Sequence, residues 1–163
     1  MKVNTAARTS FRLISTHSFA EIMENEINGE KSLHSIASFQ PDDVICSFAG
    51  GVVSNTPTYL TVQTSNNEHI TLVPEFLQYI NHSCTPNVFF NTTTFQLTAL
   101  KKIEPGDEFT FFYPSTEWDM AQPFACTCGT ATCLQHISGA KYIDKTLLAK
   151  HKLTDFIQSM LNK

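Results

Sequence analysis

The sequence predicts a mostly β domain assembled from several small sheets. Three observations predict it. Apolar residues fall in short runs with period-2 alternation. Clusters of Gly, Pro, Asn, Asp and Ser separate those runs. Only two segments carry helical spacing.

The expected strands, in chain order, are Phe11–Ile14, Leu33–Phe39, Val44–Phe48, Tyr59–Gln63, His69–Val73, Val88–Phe90, Phe95–Leu100 and Phe109–Tyr113. Gln40-Pro41-Asp42-Asp43, Gly50-Gly51 and Glu104-Pro105-Gly106-Asp107 read as turns between them. Ser65-Asn66-Asn67, between two Thr/Val/Ile-rich runs, reads as a hairpin. Pro74–Tyr79 opens with a proline that a first helical turn accepts. Leu153, Phe156, Ile157, Met160 and Leu161 recur at helical spacing, with Thr154 or Asp155 available to start the helix. The stretch from Thr16 to Ser32 is compatible with a strand and loop or with a short helix. There is no internal repeat and no low-complexity linker.

A chain of 163 residues fits one domain and buries a core without disulfide support. Eleven Lys and Arg against fifteen Asp and Glu leave a net charge of −4. The single adjacent basic pair is Lys101-Lys102, so nucleic acid is not expected as a primary partner. A mild negative charge suits a cationic partner such as a lysine-rich peptide. Met1–Arg8 lacks the apolar core of a signal peptide, and no apolar run is long enough to span a bilayer. An intracellular setting, cytoplasmic or nuclear, is the default expectation, with no membrane partner.

Three of the five cysteines, Cys126, Cys128 and Cys133, crowd into eight residues among Thr127, Gly129, Thr130, Ala131 and Thr132. In a reducing compartment such crowding favours metal over disulfide. Thiolates suit zinc, which takes four tetrahedral ligands. The local set supplies three, leaving Cys46, Cys84 or His136 for the fourth. Buried inert thiols are the bland alternative, but a polar Gly/Thr loop does not read as a core strand. The C-x-C and C-x4-C spacings also differ from the C-x-x-C of redox sites.

Between Tyr79-Ile80 and Val88-Phe89-Phe90 lies a polar heptad, Asn81-His82-Ser83-Cys84-Thr85-Pro86-Asn87. Asn, Ser and Pro are turn formers, so an ordinary turn is one reading. Further on, Phe109, Phe111 and Tyr113 share one strand face, with Thr110 and Phe112 on the other. A tyrosine closing a strand before Pro114 suits the mouth of a site; a core aromatic stripe is the plainer reading. Trp118 and Phe124 follow in a loop, where aromatics line channels or close cores.

In order, these pieces resemble the SET-domain protein lysine methyltransferases. The heptad resembles N-H-S-C-x-P-N without a mismatch. Gly106–Tyr113 resembles G-D-E-L-T-F-D-Y, with Phe109 for Leu and Phe112 for Asp. Cys126-x-Cys128-x4-Cys133 resembles the post-SET C-x-C-x4-C. The resemblance implies a SET-like fold of small sheets with a knot-like crossing near the tyrosine. It divides the chain into a SET-like domain (1–120), a post-SET zinc segment (121–142) and a C-terminal helical tail (143–163).

The same resemblance implies S-adenosylmethionine as cofactor, held by Asn81, His82 and Tyr113 with Lys31 and Leu33 from the start of the domain. It implies Tyr113 as the catalytic residue. It implies zinc held by Cys84, Cys126, Cys128 and Cys133, and a substrate channel walled by Phe48, Phe111 and Trp118. Phe111 occupies the position at which Phe or Tyr tunes the number of methyl groups added. The partner implied is a protein or peptide presenting a lysine. Two departures stand out. Glu30-Lys31-Ser32 stands where the family carries G-x-G, with Gly29 one place off. Ser47-Phe48-Ala49-Gly50-Gly51 stands where the family carries E-Y-x-G-E, so Phe48 replaces a second tyrosine. The alternative they motivate is a catalytically silent SET-like module that binds a peptide or protein.

Overall fold

Strand succeeds strand along the chain, with little helix before the last twenty residues. The computed structural model describes residues 10–163, and Met1–Arg8 lies outside the described residues. The strands are β1 (Phe11–Thr16), β2 (Ala20–Asn25), β3 (Lys31–Ser35), β4 (Val44–Ser47), β5 (Ala49–Ser54), β6 (Thr61–Ser65) and β7 (Glu68–Val73). There follow β8 (Asn81–His82), β9 (Val88–Asn91), β10 (Gln96–Ala99), β11 (Thr110–Phe111), β12 (Phe124–Ala125) and β13 (His136–Ile137). Two helices close the described chain, α1 (Lys145–Leu148) and α2 (Asp155–Leu161). None of the described helices is long and apolar enough to cross a membrane.

The strands form small separate sheets, ordered β1-β2-β3, β4-β10-β9, β5-β7-β6, β8-β11 and β12-β13. The expected hairpin at Ser65-Asn66-Asn67 joins β6 to β7, with Ser65 opposite Glu68. The ambiguous stretch from Thr16 to Ser32 is a hairpin too. Asn25 turns the chain by accepting from Ile27 N–H through its side chain (2.9 Å) and from Gly29 N–H through its carbonyl (2.8 Å). Gly29 takes the positive φ of 74° that this turn needs. Five expected strands shift or shorten; Val44–Phe48 ends at Ser47 and Phe95–Leu100 becomes Gln96–Ala99. Leu33–Phe39 becomes Lys31–Ser35, where Ser35 bonds into the Gly106–Asp107 turn. Tyr59–Gln63 becomes Thr61–Ser65, leaving Tyr59 outside the ladder and three-quarters exposed. Phe109–Tyr113 pairs only at Thr110–Phe111, and Tyr113 begins a 3-10 turn, Tyr113–Ser115, instead of ending the strand.

That short β11 divides two cores by its alternation. Phe109 and Phe111 point into the larger core, with Leu33, Leu77, Ile80, Phe90 and Leu97. Phe112 points the other way, into a smaller core with Ala140, Leu148 and Ile157. Full burial of a side chain of this size contributes about 1.5–3 kcal/mol, so the period-2 pattern of one strand ties both clusters together. The C-terminal helix forms where its spacing predicts. Of the two candidate starters, Thr154 is the N-cap: its Oγ1 accepts from Ile157 N–H at 3.4 Å and donates to Ser115 O at 3.0 Å. The preceding α1 has no apolar periodicity to announce it. Asp144 caps it by accepting from Thr146 N–H at 2.8 Å.

Gly139 holds the second core shut. Its φ is 113°, and a Cβ there would meet the Trp118 carbonyl oxygen at 2.5 Å. The following turn then docks directly on the segment after Tyr113: Ala140 N–H donates to Glu117 O at 2.9 Å and Lys141 N–H to Trp118 O at 3.0 Å. Larger residues at position 139 would push these two strips of backbone apart.

Candidate functional site

The site grows out of the polar heptad. β8 and β11 run parallel, with Asn81 beside Thr110 and His82 beside Phe111. Ser83 N–H donates to Phe111 O and Asn87 N–H to Thr110 O, each at 3.0 Å. The Asn87 side chain completes the seam, donating to Glu108 O and accepting from Thr110 N–H, both at 2.8 Å. An amide side chain has one donor group and one acceptor, so it imitates a peptide unit and pairs with a strand where no strand continues. The heptad is thus a turn whose polar residues are spent on holding the two segments side by side.

Three of its side chains then face different partners. Asn81 Nδ2 donates to Lys31 O at 3.0 Å and to Glu108 Oε1 at 3.1 Å, fastening β3 to the site. His82 Nδ1 accepts from Tyr113 N–H at 3.2 Å, while Nε2 lies 3.4 Å from Cys84 Sγ. A ring whose Nδ1 accepts carries its proton on Nε2, facing the sulfur. Burial, with repulsion from His151, pushes the imidazole down to about 4, so it stays neutral. His82 therefore links the tyrosine's backbone to the cysteines, a connection that spacing in the sequence does not suggest.

Tyr113 lies between two hollows. One is an apolar cavity of about 330 Å³, lined among others by Val62, Leu72, Leu77, Phe111, Glu117 and Phe124. The other is a wider cleft of about 900 Å³, lined among others by Gly29, Lys31, Asn81, His82, Glu108 and Cys126. Tyr59, Leu60, Gln78, Tyr113 and Phe124 line both. The Tyr113 hydroxyl donates to Ile80 O at 3.4 Å. Burial, reinforced by the negative charges of Glu108 and Glu117, pushes the phenol up to about 12. It is a neutral hydroxyl at physiological pH, able both to donate and to accept.

Sequence reasoning named residues that fall in three different surroundings. Lys31, Asn81, His82 and Tyr113 come together around the cleft, and Phe111 joins Tyr113 in the apolar cavity. Leu33, Phe48 and Trp118 line neither hollow. Leu33 is fully buried in the larger core, offering its carbonyl to Phe109 N–H at 2.8 Å. Phe48 packs edge-on against Phe90 at 5.4 Å, and Phe90 in turn against Phe111 at 4.9 Å, so it stands two rings behind the cavity. Trp118 packs on the smaller core. Reasoning from sequence missed Glu108 and Glu117 as lining residues, along with Tyr59 and Gln78. Glu108 lies inside the Gly106–Tyr113 motif, which was its available signal; Glu117 is a lone acid between Thr116 and Trp118, with no pattern around it.

The cysteines gather as their spacing implies. Sγ atoms of Cys84, Cys126, Cys128 and Cys133 all lie within 4.8 Å of one another, and Cys84 is buried. Cys46 is in a different place, on β4 beside the larger core, and His136 lies on β13. Backbone N–H groups aim at the sulfurs, Leu134 at Cys84 and Gln135 at Cys133, each at 3.4 Å. Thr130 Oγ1 lies 3.2 Å from Cys128 Sγ. Burial pushes the Cys84 and Cys126 thiols up; at Cys128 burial is again the largest single influence, but the combined hydrogen bonding of Thr130, Cys84 and Cys126 outweighs it and draws the thiol down. Four sulfurs this close resist ionising together unless a cation joins them, and the donor set fits a closed tetrahedral metal site.

Comparison with known proteins agrees with this geometry. A family model described as SET domain matches residues 12–114. The chain is 42% identical over 106 residues to "Methyltransferase flvH" of Aspergillus flavus, an alignment covering 64% of this chain and 59% of that protein. It is 31% identical over 84 residues to "Histone-lysine N-methyltransferase, H3 lysine-36 specific" of Candida albicans, covering 48% of this chain and 10% of that protein. To human "Histone-lysine N-methyltransferase 2D" it is 34% identical over 77 residues, covering 42% of this chain and 1% of that protein. The chain thus spans less than two thirds of the length of each of these relatives. With the family model matched across more than half of its residues, this chain belongs to the SET domain family.

Proposed function

We propose that the protein is a protein-lysine N-methyltransferase that uses S-adenosylmethionine. The observation that carries this reading is the position of Tyr113, whose side chain is common to the polar cleft and the apolar cavity. The cofactor belongs in the cleft beside Lys31, Asn81, His82 and Glu108, and supplies a methyl group on a sulfonium. The lysine side chain belongs in the cavity, whose walls are Leu72, Leu77, Ile80 and Phe111.

The chain's own residues do the rest by position and field. A lysine amine has an ordinary pKa near 10.4, so its neutral form at pH 7 lies about 4–5 kcal/mol uphill. An apolar cavity disfavours the ammonium and reduces that cost. The Tyr113 hydroxyl, kept neutral by burial, orients the amine lone pair. Water is excluded by Leu60 and Phe124, which border both hollows.

Zinc is the metal that suits the four cysteines. Zinc–sulfur bonds of about 2.3 Å separate tetrahedral sulfurs by roughly 3.8 Å, and Cys84 Sγ lies 4.0 Å from Cys126 Sγ. Such an ion would be structural, with no open position for substrate. It would hold the Cys126–Cys133 loop, which also contributes Cys126 and Cys128 to the cleft wall.

A second reading, a silent module that binds a peptide or protein, is favoured by Glu30 and Ser32, which stand where the family's G-x-G has its glycines, and by Phe48 in place of a second tyrosine. Glu30 lines the cleft, and the Lys31 ammonium between them lies 5.6 Å from the Tyr79 ring centre beside it. Incubation with labelled S-adenosylmethionine and a lysine-containing protein mixture, read by mass spectrometry, tests the two. Label on lysine supports the enzyme. A protein that captures peptide, and neither binds S-adenosylmethionine by calorimetry nor transfers label, is the silent module.

A further inference from the structure

Glu117 is the one carboxylate lining the apolar cavity, and it is over nine-tenths buried there. Its two oxygens are treated differently. Oε1 accepts from Gln63 N–H at 2.8 Å and from Thr116 Oγ1–H at 3.2 Å. Oε2 has neither partner; the nearest cationic candidate is His69 Nδ1 at 4.0 Å, too far for a hydrogen bond. His69 Nδ1 is itself buried without a partner. The pair is not an ion pair, because burial pushes the imidazole down and the carboxyl up to about 7. The titratable groups facing Glu117 are His69 from β7 and the Tyr113 phenol, and neither supplies a positive charge. Oε2 is thus a carboxylate oxygen with no hydrogen-bond donor of its own, on a residue that lines a largely apolar cavity, and it is free to accept one from a ligand.

We propose that Glu117 Oε2 receives the ammonium of the incoming substrate amine and takes its proton before the methyl group is transferred. This rests on the methyltransferase reading above. The chemistry balances simply. A proton passes from R–NH3+ to the carboxylate, giving R–NH2 and the neutral acid. The amine lone pair then forms the new N–C bond as the C–S bond of the sulfonium breaks, with the electron pair leaving on sulfur. The product is a charged methylammonium and a neutral thioether, and Glu117 releases its proton to solvent when the cavity reopens. Burial serves both halves. It makes the carboxyl basic enough to accept a proton near neutral pH, and it lowers the preference of the amine for its charged form. Tyr113 orients the amine, and Glu117 prepares it.

The experiment compares wild type with Glu117→Gln, which keeps the size of the side chain and the oxygen that accepts from Gln63. The binding arm titrates n-butylammonium, with n-butanol as the uncharged control, across a pH series spanning the carboxyl's pKa. Wild type should bind butylammonium, and more weakly as pH falls below about 7. Glu117→Gln should bind it roughly ten- to a hundredfold more weakly, the scale of a lost charge-assisted hydrogen bond. Its residual binding should lose that pH dependence, while butanol binds both proteins alike. The kinetic arm follows kcat/KM for a lysine peptide, whose acid limb near pH 7 should give way in the variant to a rise that continues toward the ordinary lysine pKa near 10.4. If Glu117→Gln does not fold, carboxyl 13C resonances of the wild type decide. The Glu117 signal must move when butylammonium is added. A Glu117 signal that stays still while Phe111 and Tyr113 signals move overturns the proposal, as do absent butylammonium binding or equal affinities and pH profiles in the two folded proteins. Methyl transfer with an unchanged profile in Glu117→Gln removes this role alone. Butylammonium binding through Glu117 without any methyl transfer removes the methyltransferase reading alone.

Discussion

The cysteine cluster and the tyrosine cavity lie within one short stretch of each other and are built in opposite ways. Three of the four sulfurs come from one eight-residue loop, and the backbone N–H groups of the two residues that follow it aim at Cys84 and Cys133. The cavity takes its walls from β6, β7, the 3-10 turn Glu75–Tyr79, β11 and the segment from Glu117 to Phe124. One site is a cluster of identical strong ligands; the other is a largely apolar hollow whose few polar groups differ in kind, with the Tyr113 hydroxyl and the Glu117 carboxylate among them. A site of like ligands stands or falls as a unit, because removing one leaves the rest ionised and unpaired. A site of unlike groups loses one function at a time. His82 is where the two meet, accepting from Tyr113 N–H on one side and facing Cys84 on the other.

The sharpest way to break that comparison is to remove the metal. Protein purified without added metal should carry about one equivalent of zinc, the stoichiometry of a closed structural site. Cys128→Ser or strong chelation should release it and open the loop from Cys126 to Cys133 to proteolysis. The loss draws on a binding energy of the order of 10 kcal/mol. Cys46→Ser should leave metal content unchanged. Metal that survives in Cys84→Ser but not in Cys46→Ser would overturn the ligand set.

Tyr113→Phe should have the next largest effect and a different character. Deleting one positioned hydroxyl should cost roughly two to three orders of magnitude in methyl-transfer rate. Metal content and melting temperature should hold, since the backbone N–H that His82 accepts is retained. Full activity in a folded, metal-loaded variant would remove Tyr113 from the chemistry.

Asn81→Ala should fall between the two in kind. It should weaken S-adenosylmethionine binding by about 1.5–3 kcal/mol, the value of a hydrogen bond involving a charged group. Because Asn81 also fastens Lys31 O, part of the loss should appear in thermal unfolding without cofactor. Calorimetry with unchanged affinity would put the cofactor elsewhere.

Thr154→Ala should have the smallest effect and none on either site. Loss of the cap on α2 should cost about 1 kcal/mol of stability, read by denaturant unfolding, with activity and metal unchanged. A change in methyl-transfer rate would mean that the smaller core, through Ser115 and Phe112, couples to the site.

Much of this molecule is determined locally, and local features are what a sequence carries. Period-2 runs specify strands because alternate side chains must reach a core, and the alternation around Phe111 and Phe112 sends them to two different ones. The cysteine spacing implies a metal because a short loop of small residues brings three sulfurs together unaided. Thr154 caps α2 by a contact spanning three residues. The heptad and the Gly106–Tyr113 segment could be matched to a family because their polar residues hold backbone to backbone, which leaves little freedom in type or spacing.

What tertiary structure alone decided was which side chains share a space. Fifty-four residues separate Gln63 from Glu117, yet one holds the other's carboxylate in the cavity. Nothing next to either residue records that meeting. Phe48 and Trp118 are aromatic, as channel walls are, but strand register and the turn at Gly139 assign them to cores. Burial, and with it the neutral state of Tyr113 and His82 and the raised pKa of the Glu117 carboxyl, exists only once distant segments have excluded water. A residue's type sets which protons it can hold, and the company that folding brings to it sets whether it holds them.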